Sequence, residues 1–232
     1  MNIFHHPEVV TFLSEKADGD MKLSGKESLA NRKVYLEKNK LNGFEINSAR
    51  LKHGKEVEII KKVESKIIEE ADGLLSGERG LILTVTVADC LPIYLFDPET
   101  RVYGVLHAGW RSLEKGIIKE AAEKMRHSFN IDSKRILAGI GAGIGACHFE
   151  VKEDFKERFS DFPQFFIYQK EKTFFNLKGL AKFLLLQEGV FEENISVKAD
   201  CAYCLENKYF SFRRDGKKNG GVQAMLAGIV VI

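Results

Sequence analysis

Two short motifs place a thiol and an imidazole at the ends of neighbouring apolar runs, and this limits how the chain can fold. ADCLP (88–92) follows the run Leu81–Val87, and HAGWR (107–111) follows the run 101–106, with the histidine seventeen residues after the cysteine. Both runs predict strands. If the two strands are neighbours, Cys90 and His107 converge in one cleft. A thiolate and an imidazole that converge are typical of a zinc or copper site.

A third metal ligand is available upstream, where His53 precedes Gly54 at a predicted turn. Two histidines and one cysteine occupy three corners of a tetrahedron and leave the fourth open, which is typical of a catalytic metal site. Asp89, beside the cysteine, has two interpretations that the sequence leaves open. It either orients a ligand imidazole or caps the turn.

Four blocks in a fixed order resemble a known family. ADCLP and HAGWR are followed by a glycine-rich block (139–151) and by FSFRRD (210–215). This series closely resembles the polyphenol-oxidase-like "laccase domain" proteins now described as purine nucleoside phosphorylases, from about Asn31 to the C-terminus. The family usually has Gln-Val-His-Gly at its first ligand, where this chain has Leu51-Lys52-His53-Gly54. Ser112 stands where glycine commonly follows HAGWR.

The resemblance implies a zinc enzyme that cleaves adenosine, inosine and methylthioadenosine with phosphate, giving the free base and a sugar 1-phosphate, with adenosine deamination as a second activity. It implies zinc bound by His53, Cys90 and His107, with Cys90, His107 and Arg111 as catalytic residues. One thiolate and two neutral imidazoles would leave zinc a net charge of about +1. It also implies a mixed α/β fold, a single layered domain with sheets packed between helices.

Four residues are candidates for substrate binding. Arg111 at the start of a helix predicted near Ser112 suits phosphate, although a salt bridge explains it equally well. Asn31 and Arg32 open another predicted helix and lie near the site in the resembling family, the alternative being a solvated arginine. Phe212 is a candidate wall of a purine pocket.

Composition narrows the class of protein. The chain has 232 residues, 44 % of them hydrophobic, and a net charge of +2, which predicts one α/β domain over 1–232 and no binding to nucleic acid or membranes. No apolar segment of signal-peptide or transmembrane length occurs, so a cytoplasmic protein is expected. The expected partners are small purine nucleosides and phosphate, and the oligomeric state stays open.

Periodicity predicts the main elements of secondary structure. Helices are predicted at Ser28–Leu41, from about Ser112 to Met125, at Lys152–Phe159 and at Leu177–Leu186. Strands are predicted at Val57–Val63, Ala71–Leu75, Leu81–Val87, Leu91–Phe96, Arg101–Leu106, Arg135–Ile140, Ser196–Ala199, Lys208–Phe212 and Val222–Ile232. The glycines at 139–145 do not match a dinucleotide-binding or P-loop motif and instead indicate close approach of the backbone to the cleft.

Two other functions remain alternatives. Copper-dependent phenol oxidation is disfavoured because a multicopper oxidase needs roughly ten histidines, whereas the chain has six. A non-enzymatic binding module with a structural zinc would need a fourth ligand at the metal, for instance Cys147 or Cys201. The pair Cys201 and Cys204 forms a C-x₂-C motif; two small buried or loop cysteines are favoured over a zinc knuckle, for which only Cys147-His148 offers a second pair of ligands.

Overall fold

The structure is a computed structural model that describes residues 3, 4, 6–216 and 222–232. Its strands are β1 (Val9–Leu13), β2 (Glu45–Ala49), β3 (Val57–Ile60), β4 (Lys66–Ile68), β5 (Gly73–Ser76), β6 (Leu81–Val87), β7 (Leu91–Phe96), β8 (Tyr103–Ala108), β9 (Leu137–Ile140), β10 (Glu150–Val151), β11 (Phe166–Gln169), β12 (Lys172–Phe175), β13 (Ile195–Val197) and β14 (Met225–Val231). Its α-helices are α1 (Lys26–Lys38), α2 (Trp110–Glu114), α3 (Ile117–Phe129), α4 (Glu153–Arg158), α5 (Leu177–Gln187) and α6 (Phe212–Asp215).

The strands form three sheets. A five-stranded sheet has the order β1-β14-β6-β2-β4, and a six-stranded sheet has the order β13-β9-β7-β8-β5-β3. A small third sheet has the order β10-β12-β11. One hydrophobic core joins the facing sides of the two large sheets, so these sheets form the middle layers of the fold.

The sequence of β6 explains how one strand serves two cores. Leu83 and Val85 face the six-stranded sheet, whereas Ile82 packs on the opposite side with Tyr35 and Leu36 of α1. Successive side chains of a strand point to opposite faces, so a continuous apolar run can be buried on both. Helix α1 therefore covers the outer face of the five-stranded sheet.

The outer face of the six-stranded sheet is covered by α3 and α5. Ile117, Ala121 and Met125 of α3 share one core with Leu180 and Leu185 of α5. Phenylalanines around the small sheet extend this core. The layers thus run from α1 through two sheets to α3 and α5, which confirms the prediction of a mixed α/β fold with sheets between helices. No helix in the described ranges is long and apolar enough to span a bilayer.

The predicted elements match the structure most closely at the two strands that flank Ala88–Cys90. The predicted bounds of β6 and β7 are those observed. The helix predicted after HAGWR is wrong in one respect, because it is two helices, α2 and α3. Gly116 separates them with a left-handed backbone, φ 87°, which glycine adopts without steric cost.

The predicted strand Lys208–Phe212 is wrong. Tyr209 and Phe210 are buried in the core between the sheets but belong to an irregular segment. Ser211 then begins the short helix α6, and its side chain accepts a hydrogen bond from the backbone N–H of Arg214. Ser211 thus acts as a helix N-cap, which favours a turn over a strand at this point.

Arg32 links α1 to the five-stranded sheet. Its guanidinium donates hydrogen bonds to the Met21 carbonyl oxygen at 3.0 Å, to Ser48 Oγ at 2.6 Å and to Thr84 Oγ1 at 3.3 Å. Burial lowers the pKa of Arg32 to about 10, which leaves the side chain charged at neutral pH. A buried charge of this kind holds its surroundings in place through its hydrogen bonds.

Replacing Arg32 should therefore destabilise the fold. We expect Arg32→Met to lower the free energy of unfolding by about 3 kcal/mol, because buried acceptors lose charged donors. The matched control is Lys33→Met on the same helix, since Lys33 is exposed and its one ion pair with a described residue is with Glu37, at 3.9 Å. Urea denaturation measures both variants, and equal stability of the two would contradict the structural role of Arg32.

Candidate active site

The pairing of β7 with β8 brings Cys90 and His107 to one edge of the six-stranded sheet. The strands are antiparallel, with Leu91 opposite Ala108 and Pro92 opposite His107. Cys90 immediately precedes β7, so its thiol lies beside the end of β8 that carries His107. The convergence expected from the two motifs follows from this register.

Asp72 brings the third predicted ligand into the same place. Its carboxylate accepts backbone hydrogen bonds from His53 at 2.9 Å, Gly54 at 2.7 Å and Lys52 at 3.2 Å. The same carboxylate lies 3.0 Å from His107 Nδ1. A fully buried carboxylate therefore fixes both the loop that carries His53 and the ring of His107.

The loop has a backbone conformation that needs such support. His53 has φ 58°, in the left-handed region that residues with a Cβ seldom adopt. The three N–H groups bound to Asp72 hold this conformation. Strained backbone that is held in this way is often found at functional sites.

His53, Cys90 and His107 form a compact donor group. Their ligand atoms all lie within 4.8 Å of one another, and the two imidazole rings meet edge to face with centroids 4.8 Å apart. Since Nδ1 of His107 is bonded to Asp72, its Nε2 is left for a metal. Within the described ranges, no other histidine, cysteine or carboxylate joins this group.

The electrostatics of the group suit a cation. Burial raises the pKa of the Cys90 thiol, but the imidazoles of His107 and His53 outweigh it and lower that pKa to about 6. Burial lowers the pKa of His107, whereas the Cys90 thiolate and Asp72 raise it to about 9. The site therefore stabilises a thiolate beside a positive charge. A metal ion would take the place of the proton.

Two glycines make room for this arrangement. A Cβ at Gly109 would lie 2.7 Å from Cys90 Sγ, and a Cβ at Gly143 would lie 2.8 Å from the carbonyl oxygen of Asp89. Glycine at both positions lets the backbone pass close to the cysteine. The close approach predicted for the glycine-rich block is therefore found at Gly143.

A cavity of about 460 Å³ opens onto the three donors, which is within the range for small-molecule sites. Arg111, Phe212 and Arg213 line it. Apolar side chains complete its wall, among them Leu51, Val87, Ile144, Phe149 and Leu177. The cavity thus combines cations, an aromatic ring and a candidate metal centre.

Arg111 and Arg213 approach the cavity from different elements. Arg111 lies at the start of α2 and is exposed, with its guanidinium carbon 4.1 Å from the centroid of Trp110. Arg213 is also exposed, and its guanidinium donates to the Glu150 carbonyl oxygen at 2.9 Å. Because α2 has only five residues, the side-chain charge of Arg111 matters more for an anion than the helix dipole does.

Asp89 orients a chain segment and contacts no ligand imidazole. Its Oδ2 accepts hydrogen bonds from Ser211 Oγ at 3.0 Å and from the backbone N–H of Arg213 at 2.6 Å. Its Oδ1 has no hydrogen-bond partner among the described residues, although Asp89 lines the cavity. Burial raises the pKa of this carboxyl group. Asp72 has the orienting role that the sequence left open for Asp89.

Asn31 and Arg32 are not part of the cavity lining. Asn31 donates to the carbonyl oxygen of Asp20 at 3.1 Å, and the guanidinium of Arg32 is hydrogen-bonded inside the fold as described above.

Sequence reasoning missed Asp72 and the contribution of Arg213. A ligand histidine usually has a carboxylate partner, but the sequence does not show which strand lies beside His107.

Comparison with known proteins gives a consistent family match. The family model described as "Multi-copper polyphenol oxidoreductase laccase" matches residues 20–230. A purine nucleoside phosphorylase of Clostridium acetobutylicum is 32 % identical over 167 residues, 70 % of this chain and 69 % of that protein. An adenosine deaminase from an unknown prokaryotic organism is 32 % identical over 160 residues, 66 % of this chain and 60 % of that protein.

Other relatives are longer than the matched region. The purine nucleoside phosphorylase of Bacteroides thetaiotaomicron is 28 % identical, and the match covers 72 % of this chain but 63 % of that protein. The crystal structure of YlmD from Geobacillus stearothermophilus superposes with a TM-score of 0.89 at 25 % identity, over 97 % of this chain and 92 % of that one. The fold is thus shared almost throughout.

Asp72 offers a direct test of the candidate metal centre. We expect Asp72→Asn to weaken zinc binding by about 10- to 100-fold, because His107 loses a carboxylate partner and the 52–54 loop loses a charged acceptor. Metal affinity is measured by competition with a chromophoric chelator.

The matched control is Asp132→Asn. Asp132 also accepts a backbone N–H, from Lys134 at 3.0 Å, but at an exposed turn outside the cavity. Unchanged zinc affinity in Asp72→Asn, with the fold intact by circular dichroism, would show that His107 needs no such partner.

Proposed function

This chain belongs to the family described as multi-copper polyphenol oxidoreductase laccase, and we propose that it is a zinc-dependent purine nucleoside phosphorylase with adenosine deaminase activity. The observation that carries the proposal is the three-donor group opening onto a cavity that two arginines line. Three protein donors leave a coordination position for a reactant. Relatives named as purine nucleoside phosphorylases and as an adenosine deaminase support the substrate class.

The residues present fit a zinc ion. One thiolate with a lowered pKa and two imidazoles are a donor set that zinc accepts, with His53, Cys90 and His107 holding the ion. When bound, zinc supplies a Lewis-acid charge that polarises phosphate or water. Asp72 keeps the ring of His107 in place and holds the loop of His53.

The arginines account for the choice of phosphate as a reactant. Arg111 and Arg213 line the same cavity as the donor group. A guanidinium binds two phosphate oxygens through parallel N–H groups. In phosphorolysis a phosphate oxygen bonds to the anomeric carbon of the sugar while the base departs, so the arginines would position the attacking oxygen.

The apolar part of the cavity suits a purine. Phe149 and Phe212 are aromatic, and Leu177 and Ile144 add aliphatic surface. Aromatic rings offer a face on which a flat base can stack. Asp89 Oδ1 adds one polar group to this wall.

Copper-dependent oxidation of phenols is the competing function, since the family model has that description. A blue-copper centre also uses two histidines and one cysteine, but it needs a weak axial ligand such as methionine. No methionine lines the cavity among the described residues. Metal analysis of protein purified without added metal separates the two functions, because it identifies the bound element, and oxidised copper(II) bound to thiolate is also coloured whereas zinc is colourless.

The reaction itself is tested with adenosine and phosphate. We expect adenine and ribose 1-phosphate as phosphate-dependent products, with inosine formed from adenosine without phosphate, as measured by chromatography. His53→Gln should abolish both activities and reduce the zinc content, because one of three donors is lost.

The matched control for His53→Gln is His127→Gln. Both histidines are exposed, but His127 lies on α3 outside the donor group. Full activity and full zinc content in His53→Gln would show that His53 is not a ligand, and wild-type protein that forms neither product would rule out the proposed reactions.

Replacing Arg111 tests whether this residue binds phosphate or only supports the structure of the site. We expect Arg111→Ala to lower phosphorolysis about 30- to 150-fold, because loss of a charge-assisted contact costs about 2–3 kcal/mol. Deamination uses water in place of phosphate and should fall much less. The ratio of the two activities is insensitive to a general loss of stability.

Arg158→Ala is the control for this experiment. Arg158 is exposed and pairs with Glu114 of the same helix as Arg111, at 3.1 Å, but it does not line the cavity. Equal losses of phosphorolysis and deamination in Arg111→Ala would assign Arg111 to the architecture of the site and not to phosphate.

A further inference from the structure

A second group of metal-binding side chains lies outside the donor group of the candidate active site. Cys147, His148, Cys201 and Cys204 each offer a ligand atom, and these four atoms lie within 4.8 Å of one another. The C-x₂-C pair and the Cys-His pair are far apart in sequence. The fold brings them together where the backbone N–H of Ala202 donates to the Gly143 carbonyl oxygen at 2.9 Å, in a short parallel bridge between Gly143 and Cys201.

Two distances within the group are close to those of a tetrahedral zinc site. Cys147 Sγ and Cys204 Sγ are 3.5 Å apart, and Cys204 Sγ lies 3.2 Å from His148 Nδ1. Zinc ligands at ordinary bond lengths are separated by about 3.5–3.8 Å along the edges of a tetrahedron. The four side chains therefore need only small movements to bind one ion.

Local structure orients three of these ligands. The backbone N–H of Gly145 donates to Cys201 Sγ at 3.1 Å, a contact that favours a thiolate. The ring of His148 stacks on Tyr203, with centroids 4.1 Å apart and planes 16° apart. A turn closed by Leu205 N–H and the Cys201 carbonyl oxygen, at 3.0 Å, sets the two C-x₂-C thiols side by side.

The charge around the group is also complementary to that of a zinc ion bound by three thiolates. Three thiolates, one neutral imidazole and a zinc ion sum to a charge of about −1. Lys178 is buried and donates to the carbonyl oxygens of Lys198 at 2.7 Å and Asp200 at 2.6 Å, just before Cys201. Its ammonium interacts electrostatically with Cys201 and Cys147. A buried cation thus offsets the negative charge.

We propose that Cys147, His148, Cys201 and Cys204 bind a structural zinc ion that is separate from the metal centre in the cavity. Four protein ligands leave no open position, which is typical of a structural site. The ion would join the loop after β9 to the irregular segment before α6. Both segments adjoin the cavity wall: Ile144 and Phe149 lie on the first, and Phe212, the first residue of α6, directly follows the second.

The consequence is that the cavity wall depends on this second ion. Segment 198–211 has no helix or strand of its own and is held by scattered contacts, such as those of Arg214 with the carbonyl oxygens of Ala202 and Tyr203, at 3.0 and 2.7 Å. A bound metal ion would cross-link this segment and so compensate for its lack of regular secondary structure. This site requires no particular reaction in the cavity.

Zinc content of the purified full chain tests the proposal. We expect about two zinc ions per chain in the wild type, about one in Cys90→Ser, about one in Cys204→Ser and about none in the double variant. The two single variants are matched controls for each other, because each removes one thiol from a different group.

Cobalt substitution shows which ligands remain. With Co²⁺ as the probe, Cys90→Ser should keep the intense thiolate-to-cobalt absorption of three sulfur ligands, whereas Cys204→Ser should keep only the weaker band of one. Because the wild type and Cys90→Ser suffice for this comparison, the test stands even if Cys204→Ser fails to fold.

Three results would overturn the proposal. One is a wild type with a single zinc that Cys90→Ser loses entirely. Another is Cys204→Ser with the zinc content of the wild type. The third is a disulfide between Cys147 and Cys204, found by mass spectrometry in freshly purified, zinc-supplemented protein. An inactive wild type with two zinc ions would count against the proposed reaction and leave this site intact.

Discussion

The carboxylate of Asp72 is the interaction on which the rest of the candidate active site depends. It is fully buried and binds the backbone of the 52–54 loop together with the ring of His107. Burial raises the pKa of Asp72, but His107 and the N–H donors outweigh it and lower that pKa, so the group is charged. A buried charge tolerates few alternative arrangements of its donors, because each lost hydrogen bond leaves it unpaired. One side chain therefore sets the positions of two predicted ligands.

The two large sheets supply the frame for this interaction. Their shared core holds β7 and β8 in register, and that register puts the thiol of Cys90 beside the histidine at the end of β8. The cysteine then fits only because Gly109 and Gly143 have no side chain. Close packing in the core keeps the strands immobile, and this lets their ends hold functional groups in fixed positions at the open edge of the sheet.

The two candidate metal groups differ in their position relative to the cavity. The donor group with His53 lines the cavity, whereas the group with Cys204 is not part of the lining and lies on segments that precede Phe149 and Phe212 in the sequence. The first has three donors and the second has four, so the two proposals assign chemistry to the first group and architecture to the second.

Local patterns determined much of this protein. Apolar runs predicted β6 and β7 with their bounds, and the chemistry of His53, Cys90 and His107 predicted a three-donor centre. The family and the layered α/β fold were also predicted correctly, whereas the roles of the site residues, a single domain and a cytoplasmic location stay predictions. Only the tertiary structure decided the partners of these residues. Asp72 and His107 are 35 residues apart, and Cys147 and Cys204 are 57 apart. Such contacts depend on sheet register and loop packing, which arise from the whole core and leave no periodic signal in the sequence.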